Sequence, residues 1–367
     1  MKSSHALVYL RQLCCSGLRK ELVISEFLRT LPEAIPSNSN TFSGGDALLN
    51  PTYHLCGTPE PDKADFIPAV ISAFFNHERK SRTRQWFARH DVLADPLAID
   101  ERFYRSDMYN LVYRPFDMHH ALWTQVTLEG KHAGLLCAHR SKQQKPFDRS
   151  EQDLFNHLAS YVSHALKATG DERIEYGDID ATGMLVMNVS GKVLFQSPKT
   201  KHLMAAVCHP SLNEKMSSSQ DKLMGRLVRL CANIKAIQLG QDLPPPAYCH
   251  TGPMGKFVFR AYWLDSCHQQ PDGLIGVSIE HHEPLALKIL RAMRDSPLSP
   301  TQKEVALLLA QGLALEHIRS RLHIKPTTLK DHIGKIYLKL DIHQREELLP
   351  KLLTLSRMTG IAARSSR

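Results

Sequence analysis

At 367 residues, with 43% hydrophobic and 23% charged side chains, the chain has globular composition and length for two or three domains, which excludes a disordered or low-complexity protein. No stretch reaches the roughly 18 to 20 consecutive apolar residues of a membrane span. The net charge of +9 sits at one end: residues 288–367 hold 15 Lys plus Arg against 7 Asp plus Glu, and the rest hold 31 against 30, so a polyanion partner or a merely solvated basic surface belongs at the C-terminal end.

The opening "MKSSHALVYLRQLCC" is followed by the charged "SGLRKELV", so it reads as helix and not as a signal peptide. Over residues 6–31, Leu7, Leu10, Cys14, Leu18, Leu22, Phe27, Leu28 and Leu31 recur at an approximate 3.6 period, which predicts one helix. "IPSNSNTFSGG" is rich in turn formers and is expected to break it. "HALWTQVTL" (120–128) and "HAGLLCAHR" (132–140) are β-rich runs around Glu129-Gly130-Lys131, a predicted hairpin. Asp148 and Glu151 form a capping pair, and Leu154, Leu158, Tyr161, Val162 and Leu166 line one side of the helix that follows.

The polar "TGDERIEYGDID" marks a boundary. Beyond it, "GMLVMNVSGKVLFQS" predicts two strands about a turn at Ser190-Gly191, and "PKTKHLMAAV" and residues 221–239 predict helices. "DLPPPAYCHTGPMG" predicts a loop, because Pro244 to Pro246 cannot continue a helix. "KFVFRAYWL" and "DGLIGVSIEHH" close the segment as strands. The eight cysteines show no paired C-x-x-C motifs and no H-x(3–5)-H, so no zinc site is expected. They read as scattered intracellular thiols or as one redox sensor among them. Neighbouring histidines, His119-His120 and His281-His282, point to opposite faces of a strand, which argues against a metal.

Three helical patterns fit between 299 and 340. Ser299, Pro300 and Gln302 supply an N-cap, a first-turn proline and a capping-box partner; Val305, Leu308 and Leu309 give the apolar side, and Gly312 the stop. "LEHIRSRLHI" is expected to pack through Leu315, Ile318 and Leu322. After His323, Ile324 and Lys325 comes "PTTLKDHIGKIYLKL", with Leu329, Ile333, Ile336 and Leu340 on one side and Thr327, Lys330, Asp331 and Gly334 on the other. Two short helices joined by about three residues, the second with a polar basic face, are a helix-turn-helix arrangement. Such a helix buries one face in its own domain and presents donors and acceptors to base edges on the other.

The stretch from Leu298 to Leu349 resembles the DNA-binding domain of LuxR-type transcriptional regulators. The resemblance rests on Leu298, Ser299, Gln302, Glu304 and Val305, on Ala310-Gln311-Gly312, on Ile324 through His332, on Ile336, Lys339 and Leu340, and on Arg345. It implies base reading from Lys330, Asp331 and the Gly334 column, and phosphate contacts through Thr328 and its neighbours. The candidate DNA contacts are therefore Lys325, Thr327, Thr328, Lys330, Asp331, His332, Lys335 and Lys339. The sequence departs from the family pattern where Gly334 removes a reading side chain, Lys325 replaces a Ser cap, and His323 stands in place of a turn Gly, needing a left-handed backbone or another turn. The family also implies a fourth helix that pairs two protomers. Leu348, Leu349, Leu352 and Leu353 suit that role, or else close the small domain's core, and Pro350 is expected to kink the helix.

No acidic receiver-domain pattern and no G-x(4)-G-K-[ST] motif occurs upstream. Residues 40–168 resemble a GAF-type sensor and 181–288 a PAS-type fold. The expected architecture is multidomain α+β: 1–170 helix plus GAF-like domain, 175–288 PAS-like domain, 289–297 linker, and 298–358 an all-α helix-turn-helix domain. Trp123, His119 and Tyr109 are candidate ligand contacts on the sensor, though core or interface roles suit these aromatics as well. The expectation is a cytoplasmic, non-enzymatic regulator without cofactor or metal. Its partners would be double-stranded DNA, a second copy of itself, a small-molecule effector and RNA polymerase. A sigma-like initiation factor, or a sensor-domain enzyme with an accessory DNA-binding tail, are the alternatives.

Overall fold

The computed structural model describes residues 2–46, 48–57, 67–168, 174–209, 219–252, 254–265, 273–294 and 296–362. Two five-stranded antiparallel sheets and a C-terminal set of helices make a mixed α+β chain.

The chain opens with α1 (Lys2–Cys14) and α2 (Lys20–Thr30). The single helix expected over 6–31 is two, because Gly17 takes φ +75, a left-handed conformation that glycine adopts without steric cost. Next come β1 (Ser39–Gly45), β2 (Pro51–Cys56), α3 (Ile67–Phe74), α4 (His77–Phe87), β3 (Val92–Leu93) and a π-helical turn at Met108–Tyr113. The unit closes with β4 (His120–Leu128), β5 (Lys131–Arg140) and α5 (Arg149–Leu166). The strand order is β2-β1-β5-β4-β3. The predicted hairpin is β4 and β5, joined by Glu129 and Gly130, both at positive φ, as a two-residue turn matched to strand twist requires. The Asp148–Glu151 capping box is present at the start of α5.

β1 corrects a second expectation. "SNTFSGG" is not a breaker but a central strand, paired to β2 on one side and β5 on the other. Its low strand propensity is overridden by neighbours: Phe42 is fully buried, Asn40 Nδ2 donates to Leu28 O at 3.3 Å, and a Cβ on Gly44 would come within 2.1 Å of the Tyr53 ring. Alternate strand residues serve two cores. Phe42, Leu122, Leu136 and Ala138 face α1, α2 and α5, whereas Ala121, Trp123, Leu135 and Cys137 pack with α3 and the π-helical turn.

The second unit holds β6 (Ala181–Asn188), β7 (Val193–Gln196), α6 (Pro198–Val207), α7 (Ser219–Gln238), β8 (Ala247–Gly252), β9 (Gly255–Leu264) and β10 (Leu274–His282). Its order, β7-β6-β10-β9-β8, repeats that of the first sheet when strands are counted within each unit. The expected turn at Ser190-Gly191 is made, with Gly191 at φ +86. Part of the expected loop "DLPPPAYCHTGPMG" is the edge strand β8; the prolines precede it, where no ladder hydrogen bond is lost. Leu185, Met187, Phe257, Phe259 and Val277 pack under Leu203, Leu227 and Cys231 of α6 and α7.

α8 (Leu285–Arg294) occupies most of the segment expected as a linker. Leu287, Leu290 and Met293 are buried, in one continuous core with Tyr9 and Leu13 of α1, Phe27 of α2 and the C-terminal helices. The helix is held by Arg291, which donates to Glu26 Oε1 at 2.9 Å and Glu26 Oε2 at 2.7 Å, and to Glu283 Oε2 at 2.5 Å. Tyr9 and Arg29 also bond Glu26. Burial alone would raise the Glu26 carboxyl, but Arg291, Arg29 and Tyr9 outweigh it and hold it at about 2.

Candidate nucleic-acid interface

The C-terminal helices are α9 (Pro300–Ala310), α10 (Leu315–Leu322), α11 (Pro326–Leu340) and α12 (Leu348–Ala362). At α9, Ser299 Oγ accepts from Gln302 N and Ser299 N donates to Gln302 Oε1 at 2.9 Å, the reciprocal cap that the sequence predicts. Gly312, at φ +82, ends α9, and the guanidinium of Arg345 donates to Leu309 O and Leu313 O. Arg345 of the motif therefore has a structural role, because it satisfies carbonyls that the end of α9 leaves open. Between α10 and α11, His323 takes the left-handed conformation (φ 52, ψ 42). The first of the two turns left open by the sequence is therefore the one formed.

α11 divides as its pattern predicts. Leu329, Ile336 and Leu340 are buried and Ile333 packs against them. Thr327, Thr328, Lys330, Asp331, Gly334 and Lys335 are exposed. Lys325 stands at the N-cap with no side-chain cap bond, so the N–H groups of Thr327 and Thr328 in the first turn are open to an anion. Asp331 and Lys335 pair at 2.7 Å on the surface, an i,i+4 contact that bound DNA can displace at small cost.

Two candidates sit differently. His332 is half-buried, and its Nδ1 is buried without a hydrogen-bond partner among the described residues. Lys339 donates to Pro297 O and Gln302 Oε1, both at 3.0 Å, tying the end of α11 to the start of α9. Leu338, not among the candidates, is 83% exposed and lies four residues after Gly334, so it extends the exposed face of α11 by one turn. Counting i+4 from Gly334 would have found it. In α10, Ile318 is buried and Leu322 packs beside it, but Leu315, expected in the core, is 49% exposed. Arg319 points outward to Glu316 at 2.7 Å.

α12 packs on α8, and Leu348 and Leu352 are fully buried there. Leu348 and Leu352 close the core, whereas Leu349 and Leu353 are half-buried. Pro350 lies in the first turn of α12, where its missing N–H costs no helical bond, so the expected kink has no cause there. Gln12 of α1 reaches Pro300 O, and Lys303 Nζ reaches Arg294 O.

On the N-terminal unit the three candidate ligand contacts separate. Trp123 lines a cavity of about 500 Å³ beside the first sheet. Tyr109 and His119 do not; they bond each other at 2.8 Å, and Tyr104 stacks on His119. His54 and His139 also line the cavity, and burial holds each imidazole down at about 4. The unfolded histidines take protons near pH 6.5 while the folded ones do so only near 4, so between these values the unfolded state binds more protons and stability is lost as the pH is lowered. Urea unfolding should show a loss on the order of 1–3 kcal/mol between pH 7 and pH 4.5, and His139→Gln should flatten the slope. An equal slope in wild type and variant would contradict it.

No group of three or more His, Cys, Asp or Glu able to hold a metal occurs among the described residues. No helix among them is long and apolar enough to cross a membrane.

Residues 296–351 match the family model for bacterial regulatory proteins of the luxR family. The C-terminal helices thus form a luxR-family helix-turn-helix domain. No curated protein matches the chain. Among solved structures, the crystal structure of the GAF domain of the cyanobacteriochrome TePixJ aligns at 18% identity and a TM-score of 0.29, over 39% of this chain and 89% of that one.

Proposed function

We propose that the protein is a cytoplasmic transcriptional regulator that reads promoter DNA with α11 and is governed by a signal received in the two sheet-bearing units. The observation that carries this reading is the exposed edge Thr327, Thr328, Lys330, Asp331 and Lys335, which runs along a helix whose other side is locked into a luxR-family domain. Lys330 suits guanine O6 or N7, Asp331 suits cytosine N4, and Leu338 suits a thymine methyl. Lys325, Thr328, Lys335 and the start of α11 would hold phosphates.

A second feature bears on control. The reading edge is open in this state, but the pairing helix of the family pattern, α12, is occupied by α8. Control would then act on the meeting of two copies rather than on access to bases. The signal shifts the population from a docked α12 to a free one, and the dimer engages half-sites about one helical turn apart or a multiple of it. RNA polymerase is the partner such a regulator addresses once bound.

Selection of duplexes from a randomised pool by the full chain tests the reading. One sequence pattern should be enriched, and Lys330→Ala and Asp331→Ala should each alter it while Lys335→Ala leaves it unchanged and weakens all sequences alike. Recovery of no pattern, or identical profiles for all three variants, would reject the assignment of the face.

A further inference from the structure

The N-terminal cavity lies between α3, the π-helical turn and the sheet face carried by alternate residues of β1, β2, β4 and β5. It exists because β1 places Ser39, Thr41 and Ser43 where a filled core would need large apolar side chains. Its volume, about 500 Å³, falls within the range of small-molecule sites.

We propose that this cavity binds an uncharged small molecule with a flat apolar body, seated on Trp123 and Phe75, and a hydrogen-bonding edge directed to His54 and Ser43. The proposal gives the chemistry of the signal-receiving site inferred above, and only its regulatory role rests on that reading.

Charge sets the first constraint. Among the described lining residues only Arg29 carries a fixed charge, and its guanidinium is already engaged by Glu26. Among the described residues no Asp, Glu or Lys lines the cavity. The two histidines are neutral near pH 7, since burial holds both at about 4. An anion or a cation entering here would lose its hydration without a free counter-charge among the described residues, which is strongly unfavourable.

Hydrogen bonding sets the second. His139 Nδ1 lies 3.2 Å from Ser39 O, which can only accept, so Nδ1 carries the proton and Nε2 accepts. Tyr113 Oη, 3.1 Å from Nε2, donates to it and in turn accepts from Trp123 Nε1 at 3.0 Å. That chain is closed, and it forms a rigid wall with no polar group to spare. His54 differs. Its Nδ1 lies 2.8 Å from Ser43 Oγ, and no hydrogen bond of its Nε2 occurs among the described residues. Because a hydroxyl both donates and accepts, the pair can switch tautomer and offer a ligand either a donor or an acceptor.

Titration of the full chain with three probes of one shape provides the test: 2-naphthamide, 2-naphthoate and 2-naphthylmethylammonium, each by ligand-observed NMR and calorimetry at pH 7.5. The amide should bind at least tenfold more tightly than either ion. His54→Ala should weaken it about tenfold. Ser43→Leu, which fills the space, should abolish binding while the thermal melt stays cooperative and no lower than that of wild type. If no probe binds, if an ion binds as tightly as the amide, or if Ser43→Leu stays folded and still binds, the proposal is overturned. DNA affinity measured with and without saturating amide reads the regulatory role separately: an unchanged value removes that role and leaves the site in place.

Discussion

Arg291→Ala should cost the full chain about 3–5 kcal/mol at pH 7, the range expected when one member of a buried ion pair is removed and its partner stays. The reason is the number of groups that the guanidinium serves. It is bidentate on Glu26, whose side chain is only 4% exposed, and it also bonds Glu283. Without it Glu26 retains Arg29 and Tyr9 but sits in a pocket that raises its carboxyl. The pH dependence gives a sharper readout. In the wild type Glu26 is depressed, so its contribution is present above the unfolded value near 4.3 and is lost as pH falls toward about 2. In the variant this contribution is smaller or reversed. The stability difference between the two proteins should therefore be large at pH 7 and shrink toward pH 3, while the histidine effects cancel in the difference. Glu26→Gln combined with Arg291→Met should recover part of the loss, since a neutral pair leaves no buried charge. A loss below about 1 kcal/mol for Arg291→Ala in urea unfolding would mean that the cluster is a surface feature. Because Arg291 also fastens α8 to α2, the variant should release α12 and raise the dimer fraction on operator DNA.

DNA affinity should fall by about four orders of magnitude between 50 and 200 mM monovalent salt. That figure follows from about eight phosphate contacts in a dimer, which give a slope near −7 for log K against log salt. Lys335→Ala should reduce the slope by about one unit per protomer. Lys339→Ala should behave differently, although charge counting alone places it in the same class. Its ammonium is spent on Pro297 O and Gln302 Oε1, so its removal should lower domain stability by about 1–3 kcal/mol and leave the slope nearly as in wild type. Fluorescence anisotropy across salt, paired with thermal melts of each variant, separates the two. A flat salt response in the wild type would remove the electrostatic basis of the whole interface.

The helix-turn-helix was legible because its signals are local. A capping box, a glycine stop, a proline at the first helical position and apolar residues at i, i+3 and i+4 lie within one or two turns of what they control. They predicted α9, α10 and α11 and the inward and outward sides of α11. Leu315 went astray for the opposite reason: its surroundings are set by segments that lie elsewhere in the chain, as are the hydrogen bonds of Lys339 to Pro297 and Gln302. β1 is a similar case. Ser, Asn and Gly disfavour strands, and nothing near "SNTFSGG" shows that Leu28 O would take Asn40 or that Tyr53 would lie against Gly44. The cavity follows from the same residues, because small side chains leave space only once larger ones have been fixed around them.

The amino-acid sequence by itself determined a globular α+β body, a basic end and a helix-turn-helix whose last helix has a named outer edge, since charge, period and caps act over a few residues. Only the tertiary structure decided that α12 is held by α8, that Arg291 joins α2 to α8, that Trp123 lines a hollow while His119 and Tyr109 do not, and that two sheets share one strand order. Each of these depends on pairing between residues far apart in the chain, whose geometry arises only when separate elements exclude water from a common interior.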